Sequence, residues 1–173
     1  MDFQRPTRLT ADHELDQFDC GEDSLTDWLR RFALTSDRAG MCSTFVATIP
    51  GDRRVAGFYA LSTSVVSAVE APPRLSKGVG RYDIPVILLA RLAVDVDFQK
   101  NKLGRALLKD ALLRVWNVSE DVGVRAVLIH ALNDSARAFY MNFAEFEPSP
   151  TDPLHLFLLM KDLRKALGSQ ERS

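Results

Sequence analysis

Apolar residues recur along the chain at two spacings. Leu25, Trp28, Leu29 and Phe32 fall at i, i+3, i+4 and i+7 behind Gly21-Glu22-Asp23-Ser24. This predicts an amphipathic helix with Asp23 or Ser24 as its N-cap. Residues 43–49 are β-rich, stop at Pro50-Gly51-Asp52, and give way to a second β-rich run over 54–61 that continues through Ser64-Val65-Val66, a hairpin pattern. Residues 71–84 hold Pro72, Pro73, Gly78 and Gly80 and read as a loop. The long apolar run over 85–94 predicts a central strand buried on both faces. Over 103–118, Leu103, Leu107, Ala111 and Val115 keep helical spacing, with Leu108 and Leu112 beside them, as in a helix packed on a sheet. Residues 124–131 predict another buried strand, 133–143 a helix capped by Asn133 or Asp134, and 154–160 a last strand apolar enough to form a dimer edge. The segment 9–19 is mixed and polar, and 168–173 reads as a frayed tail.

In order these are helix, two strands, loop, strand, helix, strand, helix, strand. Antiparallel pairs come first and βαβ units come after them, which implies the α/β class: a mixed, mostly antiparallel twisted sheet with helices on both faces. A chain of 173 residues suits one domain, here 1–167. The 46% hydrophobic and 26% charged fractions are those of a globular protein in water. No apolar run approaches the ~20 residues of a membrane span, and Met1-Asp2-Phe3-Gln4-Arg5-Pro6 carries no signal-peptide core. A cytoplasmic protein is expected. Net charge −1 argues against holding nucleic acid by bulk charge but leaves room for a local basic patch. Cys20 and Cys42 are expected as free, structural thiols. His13, His130 and His155 are too few and too scattered for a multi-histidine metal site, so no metal is expected.

The stretch from Leu92 to Leu108 carries the chemistry. A buried strand runs into a polar loop and then a helix whose first turn holds Gly104 and Ala106. Such a turn exposes unpaired N–H groups and the positive end of the helix dipole, and a small residue there lets a phosphate approach. Lys100, Lys102 and Arg105 add positive charge at the same point, so a pyrophosphate is the natural guest. The alternative is a βα turn that needs Gly104 only for packing.

On these residues the chain resembles the GNAT acetyltransferases, whose pyrophosphate loop reads Gln or Arg, two residues, Gly, one residue, then Gly or Ala. Gln99 and Gly104 match, and Lys102 stands where the first glycine is expected. Further pieces resemble the toxin subfamily paired with ribbon-helix-helix antitoxins: Phe18-Asp19-Cys20-Gly21 with Trp28-Leu29, the run 55–61, Ile84-Pro85-Val86 with 89–95, and Ala138-Phe139-Tyr140 with Phe146-Glu147-Pro148. The resemblance spans residues 18–163. It implies a GNAT fold, acetyl-CoA as co-substrate, an aminoacyl-tRNA acceptor, an antitoxin partner and a homodimer. It implies that the backbone of Leu92, Ala93 and Val94 pairs with the pantetheine arm. Gln99, Lys100, Lys102, Leu103, Gly104, Arg105 and Ala106 would hold the pyrophosphate, with Asn133, Phe139 and Tyr140 at the thioester end.

Tyr140 is the candidate acid for the departing thiolate, since a phenol can protonate it. A backbone N–H near Ala93 or Val94 is a candidate oxyanion donor. No carboxylate stands out as a base, and an aminoacyl ester amine is weakly basic enough to need none. Arg91 and Asp95 read either as substrate contacts or as an ion pair, and His130 and His155 as structural. For tRNA the candidates are Arg74, Lys77 and Arg81 in the loop and Arg30, Arg31 and Arg38 near the first helix. A GNAT enzyme acting on a small-molecule or protein amine is the alternative reading, and a non-catalytic acetyl-CoA sensor a third.

Overall fold

The computed structural model describes residues 1–170. In chain order it contains β1 (Thr7–Arg8), α1 (Asp23–Arg31), α2 (Ala33–Arg38), β2 (Ser43–Thr48), β3 (Val55–Val66), α3 (Pro73–Ser76) and β4 (Ile84–Val94). After a 3-10 turn (Val96–Phe98) come α4 (Leu103–Ser119), β5 (Ala126–His130), α5 (Asp134–Phe143), β6 (Glu147–Pro148), β7 (His155–Leu159) and α6 (Met160–Gln170). Seven strands hydrogen-bond in the order β1-β2-β3-β4-β5-β7-β6. The β4–β5 pairing is parallel, whereas β1–β2, β2–β3, β5–β7 and β6–β7 are antiparallel. This is the mixed α/β sheet that the strand order in the sequence implies.

The chain forms two compact units. The first takes Met1–Ser62 and Ala90–Ala111. Its core joins Leu9, Phe18, Leu29, Ala33, Val46, Val55, Phe58 and Ala93. Phe58 anchors it, with Phe18 edge-on at 5.6 Å and Trp28 stacked at 6.0 Å. Removing a buried aromatic of this kind costs about 3–5 kcal/mol. Gly57 sets the closest packing. A Cβ there would meet Leu107 Cδ1 at 2.8 Å, Leu103 Cδ2 at 3.1 Å and the Ala93 carbonyl at 3.2 Å, so any side chain at 57 would force Leu107 to shift where β3, β4 and α4 meet.

The second unit takes Thr63–Leu89 and the chain from Leu112 onward. Its core joins Val66, Leu75, Ile84, Val86, Ala126, Leu128, Phe157 and Leu159. The β4–β5 rungs run from Val86–Ala126 to Leu89–Ile129, and β4 itself continues to Val94.

Several expectations are corrected. The N-cap of α1 is Glu22, and its side chain makes no capping bond; Asp23 lies in the first turn, where its charge complements the helix dipole. Phe32 leaves the apolar stripe: it is 55% exposed, and its φ of −119° breaks the chain between α1 and α2. The loop over 71–84 holds the helical turn α3, started by prolines at its N-terminus. β4 is buried on both faces only in part, because Pro85 is exposed and Leu88 and residues 90–92 are half-buried. β7 is no edge, since it lies between β5 and β6; the edge is β6, two residues long. Met160 opens α6 rather than ending a strand, and residues 168–170, expected to fray, are the last of that helix, whose Leu163 and Leu167 are buried. The rest of the expected tail, 171–173, lies outside the described residues. Both cysteines are free. No helix among the described residues is long and apolar enough to cross a membrane, and no cluster of metal-ligating side chains occurs among them.

Candidate active site

In the first unit, β4 ends at Val94 and the chain turns through Val96–Phe98 into α4. Lys100 and Lys102 both have positive φ, 68° and 61°. The left-handed region costs a non-glycine residue about 1–2 kcal/mol and is where glycine is at home. Lys102 therefore adopts a conformation that suits the glycine the resemblance expects there, while adding a cation. Asn101 Nδ2 donates to the carbonyls of Phe98 (3.2 Å) and Gln99 (3.3 Å), closing the loop on itself.

The first intrahelical bond of α4 runs from Ala106 N–H to the Lys102 carbonyl at 3.2 Å. The N–H groups of Leu103 and Gly104 therefore point out of the helix end without an intrahelical acceptor. Lys100, Lys102, Arg105 and Ala106 are exposed, Gly104 is half-buried, and Leu103 is buried in the core. Leu103 can thus contribute only its backbone. These residues are of the kind a diphosphate takes: unbonded helix amides, a helix dipole and cations close together in a bent stretch of chain.

Gln99 behaves differently from its neighbours. Its side-chain amide donates to the carbonyls of Cys20 (3.2 Å) and Val94 (3.1 Å), so it faces the protein. Asp95, fully buried, pairs with Arg54 at 3.3 Å and not with Arg91. Arg91 instead lies 4.2 Å over the Trp28 ring, and burial pushes its pKa below the usual arginine value. It has no carboxylate partner among the described residues. Leu92 and Val94 are half-buried, and Ala93 is buried.

In the second unit, the Asn133 side chain, one of the two caps the sequence offers, caps α5 by accepting from Ala136 N–H at 2.9 Å. Farther along the helix, Tyr140 is 6% exposed, wedged edge-on between Phe139 (5.1 Å) and Phe146 (6.1 Å). Its hydroxyl makes no hydrogen bond to any described residue. Burial pushes its pKa well above the usual tyrosine value, so the phenol stays protonated at every working pH. At the end of β5, His130 stacks on His155 at 3.9 Å. Burial lowers its pKa, with His155 adding to the effect, so it is neutral at pH 7.

The basic candidates divide. Arg74 is held by Asp162 at 3.1 Å and by Glu147, so its charge is already matched inside the second unit. Lys77 and Arg81 are exposed with no ion-pair partner among the described residues, as are Arg30 and Arg31 in the last turn of α1 and Arg38 in that of α2. Sequence reasoning missed Trp28 as the seat of Arg91 and the contacts that bind Asp95 and Gln99 to residues 19–20. Their one visible trace is the acidic pair Asp95 and Asp97 just before a basic loop.

The mixed sheet and the bent cationic loop at the start of α4 define a GNAT-type acetyltransferase. A tRNA-acetylating toxin of Mycobacterium tuberculosis (strain ATCC 25618 / H37Rv) is 46% identical over 166 residues, 96% of this chain and 98% of that protein. A probable toxin TacT of Sinorhizobium fredii (strain NBRC 101917 / NGR234) is 26% identical over 90% of each chain. Among solved structures, AtaT complexed with acetyl-methionyl-tRNAfMet matches with a TM-score of 0.85 at 28% identity, covering 95% of this chain and 98% of that one. No family model matches the sequence. The chain belongs to the family of tRNA-acetylating GNAT toxins.

Proposed function

We propose that this protein transfers the acetyl group of acetyl-CoA to the free amine of aminoacyl-tRNA, as the toxin of a toxin–antitoxin pair. The observation that carries the reading is the loop over 99–106, which presents free helix amides and lysines on a backbone shaped for a diphosphate. The relative named for tRNA acetylation and the AtaT complex with acetyl-methionyl-tRNAfMet support the acceptor.

In this reading the backbone of Leu92, Ala93 and Val94, past the last β4–β5 rung, pairs with the pantetheine arm as an added strand would. Asn133 and Phe139 line the thioester end. A backbone N–H at Ala93 or Val94 polarises the carbonyl. The acceptor amine, less basic than lysine, is largely neutral near pH 8 and attacks the carbonyl carbon without a protein base. As the C–S bond breaks, the Tyr140 hydroxyl donates its proton to the leaving sulfur and regains one from water. The amine proton is lost to solvent. The product nitrogen is an amide and no longer a nucleophile, so the acetylated aminoacyl-tRNA cannot accept a growing peptide. This is how the reaction blocks translation.

Arg91 on Trp28 and the free cations Lys77, Arg81, Arg30, Arg31 and Arg38 supply contacts to the tRNA backbone; Arg74 contributes only through its ion pairs. Residues 1–167 act as one acetyltransferase domain in the cytoplasm, as a homodimer, and a ribbon-helix-helix antitoxin restrains it. The solved complex of an AtaT variant with the C-terminus of its antitoxin AtaR and acetyl-CoA supports an antitoxin partner and acetyl-CoA as co-substrate. Mass spectrometry of total aminoacyl-tRNA incubated with the protein and acetyl-CoA tests the reading. Acetylated aminoacyl adenosine is expected, and its absence under conditions where the protein binds acetyl-CoA would redirect the activity to another amine.

A further inference from the structure

The segment Phe18-Asp19-Cys20-Gly21 has no role in the chemistry above, yet its middle residues, Asp19 and Cys20, are bonded to the chain that leads into the loop. Asp19 N–H donates to Asp95 Oδ2 at 3.1 Å, and Val96 N–H donates to the Asp19 carbonyl at 2.8 Å. Gln99 Nε2 reaches the Cys20 carbonyl. The segment is itself fixed: Phe18 is fully buried against Phe58, and Cys20 N–H donates to Thr26 Oγ1 of α1 at 3.1 Å. At the centre is the Asp95 carboxylate, which also accepts from Asp97 N–H at 2.9 Å and from Arg54. Arg54 bonds Asp97 at 2.7 Å and lies 5.0 Å over the Phe98 ring.

A buried carboxylate is costly unless amides and a cation satisfy it, as they do here. The backbone immediately beyond this brace is strained: Lys100 and Lys102 sit in the left-handed region, and such conformers persist only where the surroundings over-determine them. The downstream side is held by α4. The upstream side is held by Asp95 and Gln99, which tie residues 94–99 to the 19–20 segment.

We propose that Asp95 and Gln99 are positioning residues that hold the 99–104 loop, against its own backbone strain, in the shape that receives the diphosphate. Gln99, though exposed, does this by turning its amide onto the Cys20 and Val94 carbonyls rather than onto the ligand. The proposal rests on the reading of that loop as the coenzyme A site.

Acetylation of aminoacyl-tRNA is measured with acetyl-CoA and with acetyl-pantetheine, which lacks the diphosphate, for wild type, Gln99→Met, Gln99→Arg and Asp95→Asn. Two hydrogen bonds of ordinary strength are lost in Gln99→Met, so KM for acetyl-CoA rises about tenfold while kcat stays within about twofold. The loss in kcat/KM on acetyl-pantetheine is several-fold smaller than on acetyl-CoA. Gln99→Arg, whose guanidinium can donate to both carbonyls, regains most of the loss. Asp95→Asn shifts in the same direction; if it does not fold, the exposed Gln99 position carries the test. Equal losses on both thioesters, an unchanged KM for acetyl-CoA, or no rescue by arginine would overturn the proposal. Wild type is titrated with coenzyme A alongside: absence of binding there refutes the underlying loop reading itself, and the brace with it.

Discussion

The loop before α4 and the aromatic cluster on α5 hold their functional groups by opposite means. The loop is polar, exposed and strained, and it keeps its shape through directional bonds to Asp19, Cys20, Arg54 and Asn101. Tyr140 is held by apolar packing alone, against Phe139 and Phe146, with its hydroxyl left free. The difference matches what each is asked to do. A diphosphate needs amides and charges preset in space, and directional bonds fix them. A proton donor needs to stay protonated and unengaged, and burial without a partner does both. In the proposed mechanism the first arrangement sets affinity and the second the rate of bond breaking.

That division is broken most sharply at Tyr140. Tyr140→Phe should lower kcat by about 10²–10⁴-fold, while calorimetry finds the Kd for acetyl-CoA within about twofold of wild type. Comparable loss in both would mean that the tyrosine is a packing residue. Next in size, Phe58→Ala should lower the unfolding free energy by about 3–5 kcal/mol in denaturant titrations, since Phe58 joins Phe18 and Trp28 in the core under the loop's brace. Charge reversal at Arg30, Arg31 and Arg38 should weaken tRNA binding and flatten its dependence on salt by about one unit of slope per phosphate contact removed. The same change at Arg74 should instead show as lost stability, because its partners are Asp162 and Glu147.

The pH profile sharpens the contrast further. Burial raises the Tyr140 pKa, so the protonated form, the one the proposed mechanism uses, persists above the usual tyrosine value. The rate should climb as the acceptor amine loses its proton, then stay level to about pH 10, with no alkaline fall in the ordinary tyrosine range. The smallest effect is expected at Lys102→Gly, which relieves the left-handed strain and removes one cation. It should stabilise the fold by about 1 kcal/mol and weaken acetyl-CoA binding only a few-fold.

Elements with local signals were legible in the sequence. The hairpin announces itself by Pro50-Gly51-Asp52, α4 by its unbroken apolar spacing, and α5 by Asn133, whose cap bond spans three residues. The position of the loop was readable because strand, cations and glycine are consecutive in the chain. Its conformation was not, since a lysine does not advertise a positive φ. The brace was hidden for another reason: the bonds from Asp19 to Asp95 and from Cys20 to Gln99 join residues 76 and 79 positions apart. Arg74 looked like a free cation for the same reason, its carboxylates lying 73 and 88 positions away. The apolar run over 154–160 masked the start of α6, because Met160 belongs equally well to a strand or a helix by pattern alone.

The central claim is that the turn opening α4 takes the diphosphate of coenzyme A. Calorimetric titration of the purified protein with acetyl-CoA addresses it most directly. One site per chain is predicted, with affinity lost stepwise as Lys100 and Lys102 are replaced by alanine. A titration with no heat of association, or a binding isotherm indifferent to both lysines, would contradict it.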